Sequence, residues 1–279
     1  MEYGKETVKT MKHEVKNIKG VKVTRVEFNS IAELVDFVKN ESPKFHSLSS
    51  KNGSFSFTQT KNFDEAVNLL TKGWTDKTEQ IVSKMKTIKF SKNEMKEISK
   101  FDVAGYQCCV PRYLQGVPDS MIAKKKIPQK QKIVKLTKSV GYNCGVPADT
   151  IFENSVKAFK LIEALEKNGQ RCELTVNWVT ARFSERVEVY LKLKSPNERL
   201  NVSKMAFPMC HPSMLRRIMF AVLERLDDVN IEFNNGYGRS ITNTKELSEC
   251  VREYKNDVFV IPSFIEQDVT KITNIEDLK

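Results

Sequence analysis

KAFKLIEALEKNGQRCEL, residues 157–174, decides the fold. Its first half continues an apolar stripe in which Ile151, Ser155, Ala158, Ile162 and Leu165 share one helical face, widened by Phe159 and Leu161. Gly169 ends that helix. Cys172 and Leu174 then open a β-rich run over 172–181. A period of 3.6 gives way to a period of 2 across one glycine, so a helix of about 148–167 feeds a strand.

Upstream, Ile133, Val134 and Leu136 form a short strand, and Gly141, Gly145 and Pro147 mark the turn into the helix. Downstream, residues 186–194 are a second β-rich run, joined to the first by a hairpin loop at 182–185. Pro208 and Pro212 frame a turn. A helix follows over about 213–226, a strand over 229–233, and a helix over 243–253 capped by Asn243 or Thr244. Val258 to Ile261 close the series, stopped by Pro262. The order β, α, β, β, α, β, α, β predicts an α/β unit at 133–265, with a mainly parallel sheet covered on both faces and an antiparallel edge strand.

Residues 1–123 read as a smaller α+β region. Lys5, Lys9, Lys12, Lys16 and Lys19 fall three or four apart and would line one face of a helix. Residues 21–28 alternate as a strand, and Ser30 with Glu33 forms a capping box for the next helix. Residues 54–58 alternate as a strand. Asn62 or Asp64 starts a helix that Gly73 closes, with Trp74 packed behind. The 77–100 stretch reads as a charged helix broken near Phe90 and Ser91, and 105–121 as an ordered loop. Residues 124–132, with three consecutive lysines and Pro128, read as a basic linker, and 266–279 as a tail.

The chain has 279 residues and a net charge of +11, from 46 basic and 35 acidic side chains. That balance favours acidic partners. Lys124, Lys125, Lys126, Lys130, Lys132, Lys135 and Lys138 form a run without an acid. The run itself is nearly pure lysine, without the arginines and aromatics that fork onto phosphates and stack on bases. Six scattered cysteines with no CxxC read as reduced, mostly buried thiols. No apolar run is long enough to span a membrane and no secretory signal is visible, so a cytoplasmic protein of a host cell is expected, without membrane contact.

The element order from 133 to 262, with the 157–174 stretch, resembles the von Willebrand factor A-like variant of the Rossmannoid fold. Metal-binding members use an Asp-x-Ser-x-Ser after the first strand. Here Lys138, Ser139, Val140, Gly141, Tyr142 and Asn143 stand there without a carboxylate, so no metal and no other cofactor is expected. NFDEAVNLLTKGW (62–74), GYQCCVPRYLQGVPDSM (105–121), SVGYNCGVPADTI (139–151) and CHPSMLRRIMFAVLER (210–225) are together similar to an uncharacterised family of tailed-phage proteins. That resemblance implies a mobile-element origin.

Two sets of candidate residues follow. Ser139, Asn143, Asp149 and His211 would sit around a crevice at the C-terminal ends of the strands. Lys124, Lys125, Lys126, Lys130, Lys132, Arg216 and Arg239 would contact a DNA or RNA backbone. One of Arg216 and Arg217 is expected to pair with Glu224, Asp227 or Asp228. The leading expectation is a non-enzymatic protein that contacts nucleic acid through lysine-rich surfaces. The alternatives are a module binding an acidic host or phage protein, and an enzyme on phosphorylated substrates that uses His211 and Arg216.

Overall fold

Lys19 and Gly20, both at positive φ (52° and 82°), fold β1 (Lys12–Ile18) back onto β2 (Val21–Phe28). Two central residues at positive φ match the twist of a tight hairpin. The expected lysine-lined helix is therefore a strand from Lys12 on, held by antiparallel pairing with β2. The computed structural model describes residues 11–44, 48–85, 96–127, 132–167, 169–229, 237 and 239–265.

The main sheet adds β6 (Ile133–Ser139), β7 (Arg171–Arg182), β8 (Glu185–Lys194), β9 (Arg239–Ser240) and β10 (Val258–Ile261). Its order is β1-β2-β8-β7-β6-β10, with β9 also paired to β7. Parallel ladders join β2 to β8, β6 to β7 and β6 to β10. Antiparallel ladders join β1 to β2, β7 to β8 and β7 to β9. The fold is thus mixed α/β, and antiparallel pairing is not confined to one edge strand. β1 and β2, from the N-terminal region, belong to this same sheet, where β2 runs beside β8 from Lys22 opposite Glu185 to Phe28 opposite Leu191.

A second, antiparallel sheet has the order β3-β5-β4, from β3 (Lys96–Asp102), β4 (Gln107–Cys108) and β5 (Met121–Ile127). The expected linker is strand as far as Ile127, since Lys96 to Ser99 pair with Ile127 to Lys124. Residues 128–131 lie outside the described residues. The charged helix expected over 77–100 is limited to α5 (Thr78–Met85), residues 86–95 lie outside the described residues, and Lys96 begins β3.

The remaining helices are α1 (Ile31–Asn40), α2 (Ser49–Asn52), α3 (Phe55–Thr58), α4 (Phe63–Lys72), α6 (Val110–Leu114), α7 (Ala148–Lys167), α8 (Val202–Cys210), α9 (Phe220–Leu223) and α10 (Thr244–Arg252), with a π-helical stretch at Met214–Met219. Local chemistry sets their ends. Ser30 Oγ accepts from Glu33 N, and Glu33 reaches back to Asn29 N. Asn62 and Asn243 cap α4 and α10 in the same way. Gly73, at φ 92°, closes α4 where a Cβ would lie 2.9 Å from the Ser203 carbonyl oxygen.

α7 buries ten residues, among them Phe159, Leu161, Ile162 and Leu165. They join Val134, Leu136, Leu174, Val176, Trp178 and Val189 of the sheet in one core. Each such side chain contributes about 1.5–3 kcal/mol on burial. The opposite face of the sheet carries Val179, Tyr190 and Val258 against Leu247, Cys250 and Val251 of α10. Polar groups share that face, with Arg25 Nε 2.9 Å from the buried Glu188 carboxylate.

Three more expectations change. Residues 55–58 form a turn of helix rather than a strand, because four residues are docked on the π-helical stretch rather than paired in a sheet. The turn expected around Pro208 is the interior of α8, which starts at its Asn201 cap and includes Pro208. The loop expected at 105–121 contains β4 and α6. From residue 230 the expected strand at 229–233 lies outside the described residues, as does the tail at 266–279.

Candidate nucleic-acid interface and strand-end cavity

The 96–127 sheet has little inside. Of its residues with described side chains only Ser120 is buried, and none belongs to either apolar core. It is held by main-chain pairing and by turns. Gly105 lets the chain pass over β5, because a Cβ there would meet the Ile122 carbonyl oxygen at 2.2 Å. Arg112 ties α6 down through Asp119, with Nη2 to Oδ1 at 2.8 Å. That hydrogen bond holds the Asp119 carboxyl below its ordinary range.

Large apolar and aromatic side chains nevertheless stand in solvent. Tyr106 is 59% exposed, Tyr113 67% and Leu114 78%, with Phe101, Val103 and Val110 beside them in the sequence. Register places Phe101 opposite Ile122 and Ser99 opposite Lys124, so Phe101 and Lys124 share one face. Two cations lie over rings: the Arg112 guanidinium 4.4 Å from the Phe101 centroid, and Lys124 Nζ 5.7 Å from that of Tyr106. Lys100 and Lys125 belong to the other face, where Lys125 lies 3.6 Å from Asp102.

The lysine run is thus interleaved with aromatics after all, by pairing across strands rather than along the chain. Lys124 and Lys125 are exposed on β5. Lys126 continues that strand, its side chain outside the description, and Lys130 lies outside the described residues. Lys132 is exposed just before β6, where its carbonyl accepts from Arg171 N.

The other candidates gather elsewhere, and only in part. A cavity of about 430 Å³ opens beyond the C-terminal end of β6, where β9 takes over pairing with the last residues of β7. Asn143, Arg216 and Arg239 line it. Its walls include Phe57, Trp178, Phe220 and Tyr237, the last two stacked at 4.1 Å and 3°. Trp178 Nε1 donates to Ser240 Oγ at 2.9 Å.

Ser139, Asp149 and His211 are not part of that lining. Ser139 is buried, its Oγ accepting from Gly141 N and Ser263 Oγ. Asp149 is exposed in the first turn of α7. His211 is the C-cap of α8, sandwiched near Trp74 and Phe207 at 4.7 and 4.9 Å, and its Nδ1 accepts from Ser213 N. Burial pushes its pKa down to about 4, so it is neutral and walled in, without the access a general base needs. Burial also pushes the Cys210 thiol up to about 12, which leaves no thiolate. Cys172, Cys210 and Cys250 are buried, while Cys108 and Cys144 are exposed, so fewer thiols are buried than the composition suggested.

Arg216 and Arg217 both point inward, and neither forms the expected ion pair. Arg217 is fully buried and donates to the carbonyls of Ser50, Lys51, Gly53 and Thr60 and to the hydroxyls of Thr58 and Thr60. Arg216 donates to the carbonyls of Phe57, Cys144 and Val146 and lies 4.3 Å from the Phe57 centroid. Glu224 is engaged instead by Ser50, Tyr237 and Arg225. The π-helical stretch thus pins the 48–60 segment with two guanidinium groups, a role that a sequence placing both on a plain helix does not reveal.

The strand-end turn at 138–143 carries no carboxylate, and the carbonyls of Ser139 and Pro262 accept from the Lys138 amino group at 2.8 and 2.9 Å, where burial pushes its pKa down to about 7. Among the described residues no group of His, Cys, Asp and Glu is arranged to hold a metal. Among them, too, no helix is long and apolar enough to cross a membrane.

A family model described as a domain of unknown function, DUF7192, matches residues 6–278, spanning both sheets. No curated protein matches the chain, and no solved structure does.

Proposed function

We propose, from the premise that the chain belongs to the DUF7192 family, that it is a nucleic-acid-binding protein whose 96–127 sheet contacts single strands. One observation carries the reading: a small sheet without an apolar core exposes Phe101, Tyr106 and Tyr113 beside Arg112 and Lys124. Exposed aromatics are expensive to keep in water without a partner. Their π-faces accept any base, and the adjacent cations supply phosphate contacts. Such a surface favours flexible single strands over duplexes, whose bases are already stacked.

The role is binding rather than catalysis. Its main-sheet scaffold is read as a degenerate A-like domain, in which the buried Lys138 side chain stands at the strand end that lacks the metal-ligating acids. The similarity of four of its segments to tailed-phage proteins supports a mobile-element origin and action on nucleic acid inside a host cell.

The test is fluorescence anisotropy with labelled single- and double-stranded DNA and RNA at 50 and 300 mM salt (concentrations of roughly the range over which phosphate contacts are screened). Micromolar single-strand binding that collapses with salt and falls in Tyr106→Ala and Tyr113→Ala supports the reading. Absence of binding at low salt, beside salt-resistant capture of an acidic protein, would replace it with the protein-interaction alternative.

A further inference from the structure

We propose that the cavity at the C-terminal ends of β6 and β7 binds a nucleoside monophosphate, independently of the 96–127 sheet. Its size, about 430 Å³, falls within the range of about 300–1,000 Å³ typical of small-molecule sites. It lies where open α/β sheets take ligands, beyond the carboxyl ends of parallel strands. The π-helical stretch that supplies Leu215 and Arg216 to it is itself a rare conformation that recurs at functional sites.

The lining selects the ligand's chemistry. Phe57 and Phe220, both half-buried, offer apolar ring surface to a planar base, backed by the buried Tyr142, Trp178 and Tyr237. Among the described residues no carboxylate lines the cavity, while two arginines do. Neither Arg216 nor Arg239 has an acidic partner among the described residues. Arg216 is 3% exposed, and a buried guanidinium balanced only by carbonyl dipoles leaves a positive potential at the wall. Arg239 is exposed and free to fork onto a phosphate. Asn143, exposed on the same lining, supplies both a donor and an acceptor for a base edge. Ring surface and two cations together match a base joined to a phosphate. A bare anion would leave the rings unused, and a neutral nucleoside would leave the arginines unused.

The ligand has two sources, a free nucleotide or the phosphorylated end of a strand, and the experiment separates them. The full chain is titrated calorimetrically with AMP, UMP, adenosine, inorganic phosphate and a tetranucleotide with and without a 5′-phosphate. AMP or UMP should bind at least tenfold more tightly than adenosine or inorganic phosphate. Arg239→Ala, at an exposed position, should leave the melting temperature unchanged and weaken that binding at least tenfold. Tetranucleotide binding that depends on its 5′-phosphate identifies strand ends as the source, and monophosphate binding alone identifies free nucleotides. No heat and no melting shift with millimolar AMP or UMP overturns the proposal. So does equal affinity for adenosine, or an Arg239→Ala variant that binds as well as the wild type.

Discussion

The main sheet and the 96–127 sheet are built on opposite terms. The first spends its large side chains inside: Trp178, Phe159, Phe207 and Tyr190 are each less than 2% exposed. The second holds Phe101, Tyr106, Tyr113 and Leu114 outside, each at 40% or more. Hydrophobic residues of one kind thus serve folding in one region and are left unburied in the other. What separates them is whether a strand's faces meet helices. Six helices and the π-helical stretch contribute to the large core, while α6, five residues long, buries nothing over the small sheet. A side chain's effect on stability should follow that division, and its effect on binding should follow the reverse.

The sharpest contrast is a truncation in each region. Phe159→Ala should destabilise the protein by about 3–5 kcal/mol in urea unfolding, because the cavity it leaves in the core cannot refill. Tyr113→Ala should change stability by less than about 0.5 kcal/mol. Similar losses in the two would break the comparison.

Arg217→Met probes the polar part of the interior. It strips the donors from four carbonyls and two hydroxyls of the 50–60 segment. A loss of about 3 kcal/mol is expected, with early proteolysis between 48 and 60 as the local signature.

His211 gives a pH signature confined to the main core. Its folded pKa of about 4 lies below the ordinary 6.5, so the unfolded chain takes up the proton first as pH falls. The stability due to its neutral burial is complete above about pH 6.5, declines below it, and is lost by about pH 4. The loss amounts to up to about 3 kcal/mol. Subtracting the profile of His211→Gln from that of wild type should isolate a slope of one proton in that window. A flat difference would show that His211 takes up its proton as readily in the folded as in the unfolded state.

The smallest effects should come from single substitutions on the exposed sheet, and they should appear in binding only. Tyr106→Ala should weaken single-strand affinity by about 1–3 kcal/mol at any salt concentration. Lys124→Glu should instead reduce the slope of log affinity against log salt by about one. If both variants bind as the wild type does, the exposed rings and lysines have another purpose.

Much of the main sheet was legible in the sequence because its signals are local. The α7 stripe, the Gly169 stop, the 182–185 hairpin and the Asn243 cap all lie within a few residues of the structure they specify. β1 misled because a spacing of four fits a helical face and, as an even number, one face of a strand; Lys12 and Lys16 satisfy both. At 55–58 the alternation of Ser and Phe suits a strand, but Arg217, more than 150 residues later, decides the matter from inside the core. The candidate sites were less legible for the same reason. Phe101 and Lys124 meet only through antiparallel register, and Arg239 reaches the cavity beside Asn143 only because β9 replaces β6 alongside β7. Nothing in the run of lysines itself announces the rings that stand beside it.

The central claim is that the coreless sheet is where nucleic acid sits. The most direct measurement is photocross-linking of the full chain to a single-stranded oligonucleotide carrying 4-thiouridine, followed by peptide mapping. The account predicts cross-links within 96–127, at Phe101, Tyr106 or Tyr113, that a competing single strand removes and a duplex does not. Cross-links confined to the main sheet, or none above the background of an unrelated basic protein, would contradict it.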